Sequence, residues 1–239
     1  MKKLTFAIGM LWMSGTWAQS NETYLHNRYT IERIGAIGST SNAVPILPPA
    51  PPKTEGDVYL NKTFDVSVFE LYDQRLVEGF VAKLDLRLNE FDLITPAGIK
   101  VLKGNLVKSF ICIDSLTKRQ LNFVNVKEWK AGDNSYKEGF FEILAEGSIT
   151  LVKLNELIFK KADFNPALNV GSQDNKYLKR HKFYYIADTM AMPLPNKKNV
   201  AKIFGKREME MKAYMDQERT NVNNELDLIR LFNYHNGIL

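Results

Sequence analysis

Cysteine and histidine are scarce in this 239-residue chain, which carries one Cys and three His. A lone cysteine forms no internal disulfide, and it excludes zinc sites built from several thiolates. His26, His181 and His235 are the only imidazoles, which leaves little for metal chemistry. Long apolar runs are missing too. No stretch approaches ~18 uninterrupted apolar residues, so no transmembrane segment is expected in the mature chain. The Walker loop, G-x-G-x-x-G, G-x-S-x-G and H-E-x-x-H are all absent, so no cofactor is expected and no nucleophile or metal motif stands out. What is there is 45% hydrophobic and 25% charged, the make-up of an ordinary globular protein.

The first eighteen residues set the expected compartment. Lys2 and Lys3 precede an apolar run from Leu4 to Met13, broken only by Thr5 and Gly9. Thr16 and Ala18 then supply small residues at the −3 and −1 positions of a cut before Gln19. This is the layout of a secretory signal peptide, 1–18, cleaved after Ala18. The apolar run is about half the ~20 residues that span a bilayer, so a retained anchor is disfavoured. Of the 32 basic residues the signal takes two, and of the 27 acidic ones none, so the net charge falls from +5 to +3. Lys160–Lys161, Lys179–Arg180 and Lys197–Lys198 are scattered pairs, and nucleic acid drops out as a partner.

Residues 19–56 show little periodicity. Between Pro45 and Pro52 stand five prolines in eight residues, each fixing φ and removing a donor. An extended, Pro-rich N-terminal tether is expected here. From Asp57 to Pro195 the pattern has a period of two. Phe64, Val66 and Val68 alternate with Asp65, Ser67 and Phe69, and Leu84, Leu86 and Leu88 alternate with Asp85 and Arg87. Pro96-Ala97-Gly98 is turn chemistry, and Gly147 marks a tight hairpin or bulge. About eight to ten strands in an antiparallel meander are predicted, forming a barrel-like or sandwich domain over 57–195. Residues 162–180 form the longest predicted interruption.

After Pro195 the period becomes helical. Val200, Ile203, Phe204, Met211, Tyr214 and Met215 recur at helical spacing, with Gly205 as a kink or break. Asn223–Asn224 offers an N-cap, and Leu226, Ile229, Leu231 and Phe232 a second apolar face ending at Gly237. The fold class is therefore mainly β with a C-terminal α-helical segment, 196–239.

Candidate chemistry is thin. Cys112 lies in an alternating run and reads as a buried, inert thiol. His181, between Arg180 and Lys182, reads as a surface histidine rather than a general base. Glycoside hydrolysis needs only two carboxylates ~5–10 Å apart, and Asp85, Glu90, Asp92, Glu138, Glu142 and Glu146 could supply them. Glu142, between Phe141 and Ile143, is the most distinctive. Acidic residues on an exposed sheet face would show the same spacing. Tyr59, Phe80, Trp129, Tyr136, Tyr184 and Tyr185 could floor a sugar or peptide groove, although core use suits most of them.

Several stretches carry a resemblance: Gly56–Leu60 through Phe64, Leu86–Asp92, Gly139–Leu144 with Glu146–Gly147, Lys182–Tyr185, and the tail from Lys197 to Asn236. Over residues 56–238 the chain resembles a family of uncharacterised exported proteins of Bacteroidota-type bacteria, departing from it at Leu88, where an aromatic is more usual. The resemblance implies export and a β-plus-C-terminal-helix layout, carries over no site residue, and favours the periplasm, since the β-sandwich sorting domain of that phylum's cargo is not seen. The expectation is an exported, non-catalytic binding or scaffold protein of the bacterial cell envelope, with an envelope protein partner and with no residue assigned a catalytic, cofactor-binding or metal role. A carboxylate-dependent envelope hydrolase acting on glycan stands as the alternative. A carrier of a small apolar ligand is the third, and it requires a closed, hollow barrel.

Overall fold

Period-two patterning from Asp65 to Pro193 builds most of one large sheet in the computed structural model, which describes residues 53–132, 136 and 138–238. The signal peptide, its cleavage junction and the tether up to residue 52 lie outside the described residues. In chain order the strands are β1 (Thr54–Glu55), β2 (Asp65–Leu71), β3 (Leu76–Asp85), β4 (Glu90–Thr95), β5 (Gly98–Lys103) and β6 (Val107–Ile113). They continue as β7 (Gln120–Asn125), β8 (Lys130–Ala131), β9 (Phe140–Ala145), β10 (Ile149–Lys160), β11 (Asn175–Ala187) and β12 (Met190–Pro193). The sheet order is β5-β4-β3-β2-β6-β7-β9-β10-β11-β12-β8, antiparallel except for β12–β8 and for β1, which runs parallel to β11. The fold is mainly β, and the sheet is not closed into a barrel. Two strands more than expected arise because β1 and β8 are two-residue pairings with no sequence period of their own.

Three expectations need correction. Thr54 and Glu55, expected within the tether of 19–56, belong to the sheet, paired with Asn175 and Lys176. The interruption at 162–180 is shorter than predicted, because Asn175–Arg180 belong to β11, where the ladder with β10 supplies the order their polar composition does not signal. Leu88 does not share a face with Leu84. The strand stops at Asp85, whose carboxylate accepts from the Arg87 and Leu88 N–H groups at 2.8 and 3.0 Å and turns the chain, leaving Leu88 exposed.

On β2 the buried face is the one that looks more polar. Asp65, Ser67, Phe69 and Leu71 point inward, while Val66 and Val68 are exposed. Asp65 is satisfied by the Ser115 N–H at 3.0 Å and the Thr63 hydroxyl at 3.2 Å, which removes the cost of burying it. Inward-facing Phe69, Phe91, Phe110, Phe123 and Phe140 form a contiguous aromatic core. Phe110 stacks on Phe123 at 4.4 Å and meets Phe91 and Phe140 edge-on at 4.9 and 5.1 Å.

The C-terminal segment covers the β9–β11 region. A 3-10 stretch (Val200–Arg207) leads into α1 (Glu208–Gln217), and α2 (Glu225–Asn236) follows. Gly205, at φ 54° and ψ −116°, breaks the helix as predicted, a conformation that favours glycine. The Asn224 side chain caps α2 by accepting from the Asp227 N–H, and Gly237 ends it in the left-handed region. Met211, Met215, Leu228, Leu231 and Phe232 pack over Ala145 and Leu151. Leu226, expected on the apolar face, is exposed, and Leu228 is buried in its place. No helix among the described residues is long and apolar enough to cross a membrane.

Candidate functional site

The β10–β11 ladder is long, running from Ile149↔Ala187 to Lys160↔Lys176. On its other side β10 pairs with β9 only as far as Leu154↔Phe141. Among the described residues, 155–160 thus continue past β9 with a strand partner on the β11 side alone. Across from them, residues 58–60 pair with the end of β3: Leu60 N–H donates to the Leu84 carbonyl at 2.8 Å and Leu86 N–H to the Val58 carbonyl at 2.9 Å. Between these elements opens a cleft of about 280 Å3. Its apolar lining includes Leu60, Leu84, Leu86, Phe123, Phe140 and Leu154, and its polar lining Asn89, Glu138, Asn155 and Glu156. The aromatic core fills the space beneath. The closed, hollow barrel that a small-apolar-ligand carrier requires is therefore not what the sheet forms.

Of the six acidic candidates, only Glu138 lines this cleft. Asp85 is committed to its own turn and to Arg87 at 3.3 Å. Glu90 stands opposite Lys103 at the start of β4. Asp92 accepts from the Tyr59 hydroxyl at 2.7 Å, which raises the phenol's pKa. Glu146 is exposed in the turn before β10. Glu142 is buried, and Lys153 Nζ lies 2.8 Å from it and 2.9 Å from Glu225 of α2. Burial would lower the Lys153 pKa, but the two carboxylates outweigh it and hold the ammonium above its ordinary value. That triad ties helix to sheet and does not line the cleft beside β10.

Glu156 is the cleft carboxylate that sequence reasoning missed. The alternation Leu154–Asn155–Glu156 was visible, but nothing local says that this stretch outruns β9. Its oxygens are engaged by Lys182 at 3.1 Å and Arg180 at 3.5 Å, so it enters the cleft as part of an ion pair. Glu138 and Glu156 form a carboxylate pair in composition, one at the rim and one neutralised.

The remaining candidates have structural places. Cys112 is buried, and burial, followed by the Asp65 and Glu142 charges, pushes its thiol up to about 12. His181 is exposed, with its ring against Phe183 at 5.2 Å, and it lines a second recess of about 490 Å3 with Lys182, Pro193, Leu194 and Asn223. Tyr184 is fully buried against Phe141, and Trp129 packs on the same ring. Tyr59, Phe80 and Tyr185 are half-buried, and among the six aromatic candidates Tyr136 alone lines the cleft.

The outer face of the first half of the sheet is also distinctive. Ile113, Val66, Val81, Ile94 and Ile99 are consecutive cross-strand partners over β6-β2-β3-β4-β5. Four of the five are exposed, making an aliphatic ladder at the surface. No protein-family model matches the chain, and no curated protein or solved structure proved similar to it.

Proposed function

We propose that this chain is an exported, non-catalytic β-rich binding protein of the bacterial cell envelope, and that the cleft beside β10 is its binding site. The cleft itself carries the reading: it is concave, mostly apolar and edged by a few polar groups, the make-up of a recognition site. Export to the periplasm or beyond rests on Lys2–Lys3, the Leu4–Met13 run and the small residues before Gln19, and on the resemblance to exported Bacteroidota-type proteins.

Site-specific photocrosslinking tests the binding site. A photoreactive residue placed at Asn155 captures a molecule from the envelope that one placed at the exposed Met209 of α1 does not. Equal labelling at both positions overturns the assignment. N-terminal sequencing of the protein recovered from the envelope tests export, with Gln19 expected as the first residue.

One observation favours the hydrolase alternative: Glu138 and Glu156 line the same cleft. It predicts release of reducing ends from envelope glycan by the pure protein, abolished in Glu138→Gln. Engagement of Glu156 by two cations weighs against it, because inverting or retaining chemistry needs both carboxyl groups to serve the sugar.

A further inference from the structure

We infer that the cleft accepts an extended peptide as an added strand along the free edge of β10, an inference that rests on the cleft being a binding site. Four successive residues, Asn155 to Ile158, line it. Successive side chains of a strand point to opposite faces, so four in a row reach one cleft only where the strand turns its backbone edge toward it. The pairing agrees. β11 occupies one edge of β10 out to Lys160, while β9 leaves the other at Leu154. In an antiparallel ladder alternate residues aim their N–H and C=O groups away from the partner strand. Along residues 155–160 those groups aim at the side β9 has left, and among the described residues no further backbone hydrogen bond takes them up.

Open edges are normally blunted by proline, by charge or by a bulge. Along the cleft this one carries no proline, and the one charge between Asn155 and Ile158, Glu156, is neutralised by Lys182 and Arg180. Leu157 and Ile158 stand in the cleft, and the lysines come only at Lys160 and Lys161, where β10 ends. The opposite wall supplies apolar surface from Leu60, Leu84 and Leu86 to receive every second side chain of an incoming strand, with Phe123 and Phe140 at its base. Glu138, exposed at the rim, adds a negative charge with no ion-pair partner among the described residues. The ligand class is therefore an extended segment of about six residues, matching β10 from 155 to 160, with alternating aliphatic side chains and a basic residue beside Glu138. A sugar would leave the aliphatic wall unused, and a fatty acid would leave the edge amides unpaired.

The test uses the mature chain and an array of heptapeptides in which Val, Leu or Ile alternates with Lys, Ser or Glu. Peptides that bind are resynthesised with N-methyl groups along one backbone edge or the other. The inference expects methylation of one edge to weaken binding by about tenfold or more, the worth of one or two hydrogen bonds, and methylation of the other edge to leave it unchanged. Amide exchange at residues 155–158 slows in the same complexes. An array with no binder tighter than about 1 mM, or binding indifferent to methylation on both edges, overturns strand addition. Crosslinking at Asn155 reads out separately whether the cleft binds anything, so the two failures are distinguishable.

Discussion

Lys153 on β10 stands directly opposite Glu142 on β9, its ammonium 2.8 Å from the carboxylate. Both are largely removed from water, and Glu225 at the start of α2 closes the group from the helical side. Removing one member of such a pair leaves a charge without compensation. Lys153→Met is expected to cost about 3 kcal/mol, read from urea unfolding, and adding Glu142→Gln recovers part of it. The pH dependence has a definite sign. Because the folded lysine titrates above its unfolded value, its contribution is complete below about pH 10.5 and is lost as the pH rises through the folded pKa.

The aromatic core should be sensitive at its centre. Phe110 touches Phe69, Phe91, Phe123 and Phe140, so Phe110→Ala opens a cavity between four rings. A loss of about 4 kcal/mol is expected, measured as a fall in the denaturant midpoint at unchanged slope.

Cys112 should be silent in the native protein. Its thiol, pushed up to about 12 chiefly by burial, holds almost no thiolate near neutrality. Iodoacetamide is expected to label one equivalent per chain in denaturant and none in native buffer. Native labelling at comparable speed would contradict the burial of Cys112.

Glu210 joins the two helices through Arg207 and Tyr234, and those hydrogen bonds, Arg207 first, hold its carboxyl down to about 2. A depressed carboxyl stabilises the fold above its unfolded value and loses that contribution as the pH falls from about 4.5 toward 2. Carbon-detected NMR titration of the Glu210 carboxyl should show it ionised at pH 3, and Arg207→Met should raise its midpoint toward the ordinary range, with the Tyr234 hydrogen bond retaining part of the depression.

The β9–β10 turn and the end of α2 are joined by one side chain. Asn236 donates to the Glu146 and Ile149 carbonyls at 3.3 and 3.1 Å and accepts from the Ser148 hydroxyl at 3.1 Å. A Cβ at Gly147 would run into this amide. Gly147→Ala is expected to cost about 1–3 kcal/mol in thermal unfolding, and a second change, Asn236→Ala, relieves the steric part without restoring the hydrogen bonds.

Much of the fold was legible because its signals are short-range. The kink at Gly205, the cap at Asn224 and the stop at Gly237 depend on residues within one turn of themselves. The inward face of β2 was not. Val66 and Val68 alternate as cleanly as Ser67 and Phe69, and only the partners Cys112 and Phe110 on β6 decide which set is buried. Leu88 and Leu226 misled for a related reason. Each sits in a good apolar pattern, but a carboxylate that caps its own turn and an N-cap end the regular elements there.

From sequence alone came the β class, the helical tail, the lone buried thiol and the small net charge, because periodicity and composition are properties of neighbouring residues. The cleft belongs to the tertiary structure. Leu60, Leu86, Phe123, Glu138 and Asn155 meet in it from five separate stretches of chain, and its edge exists because β10 outruns β9. Strand length is set by pairing partners far away in sequence. The scarcity of cysteine and histidine narrowed the chemistry, and the unequal lengths of two adjacent strands decided where the cleft opens.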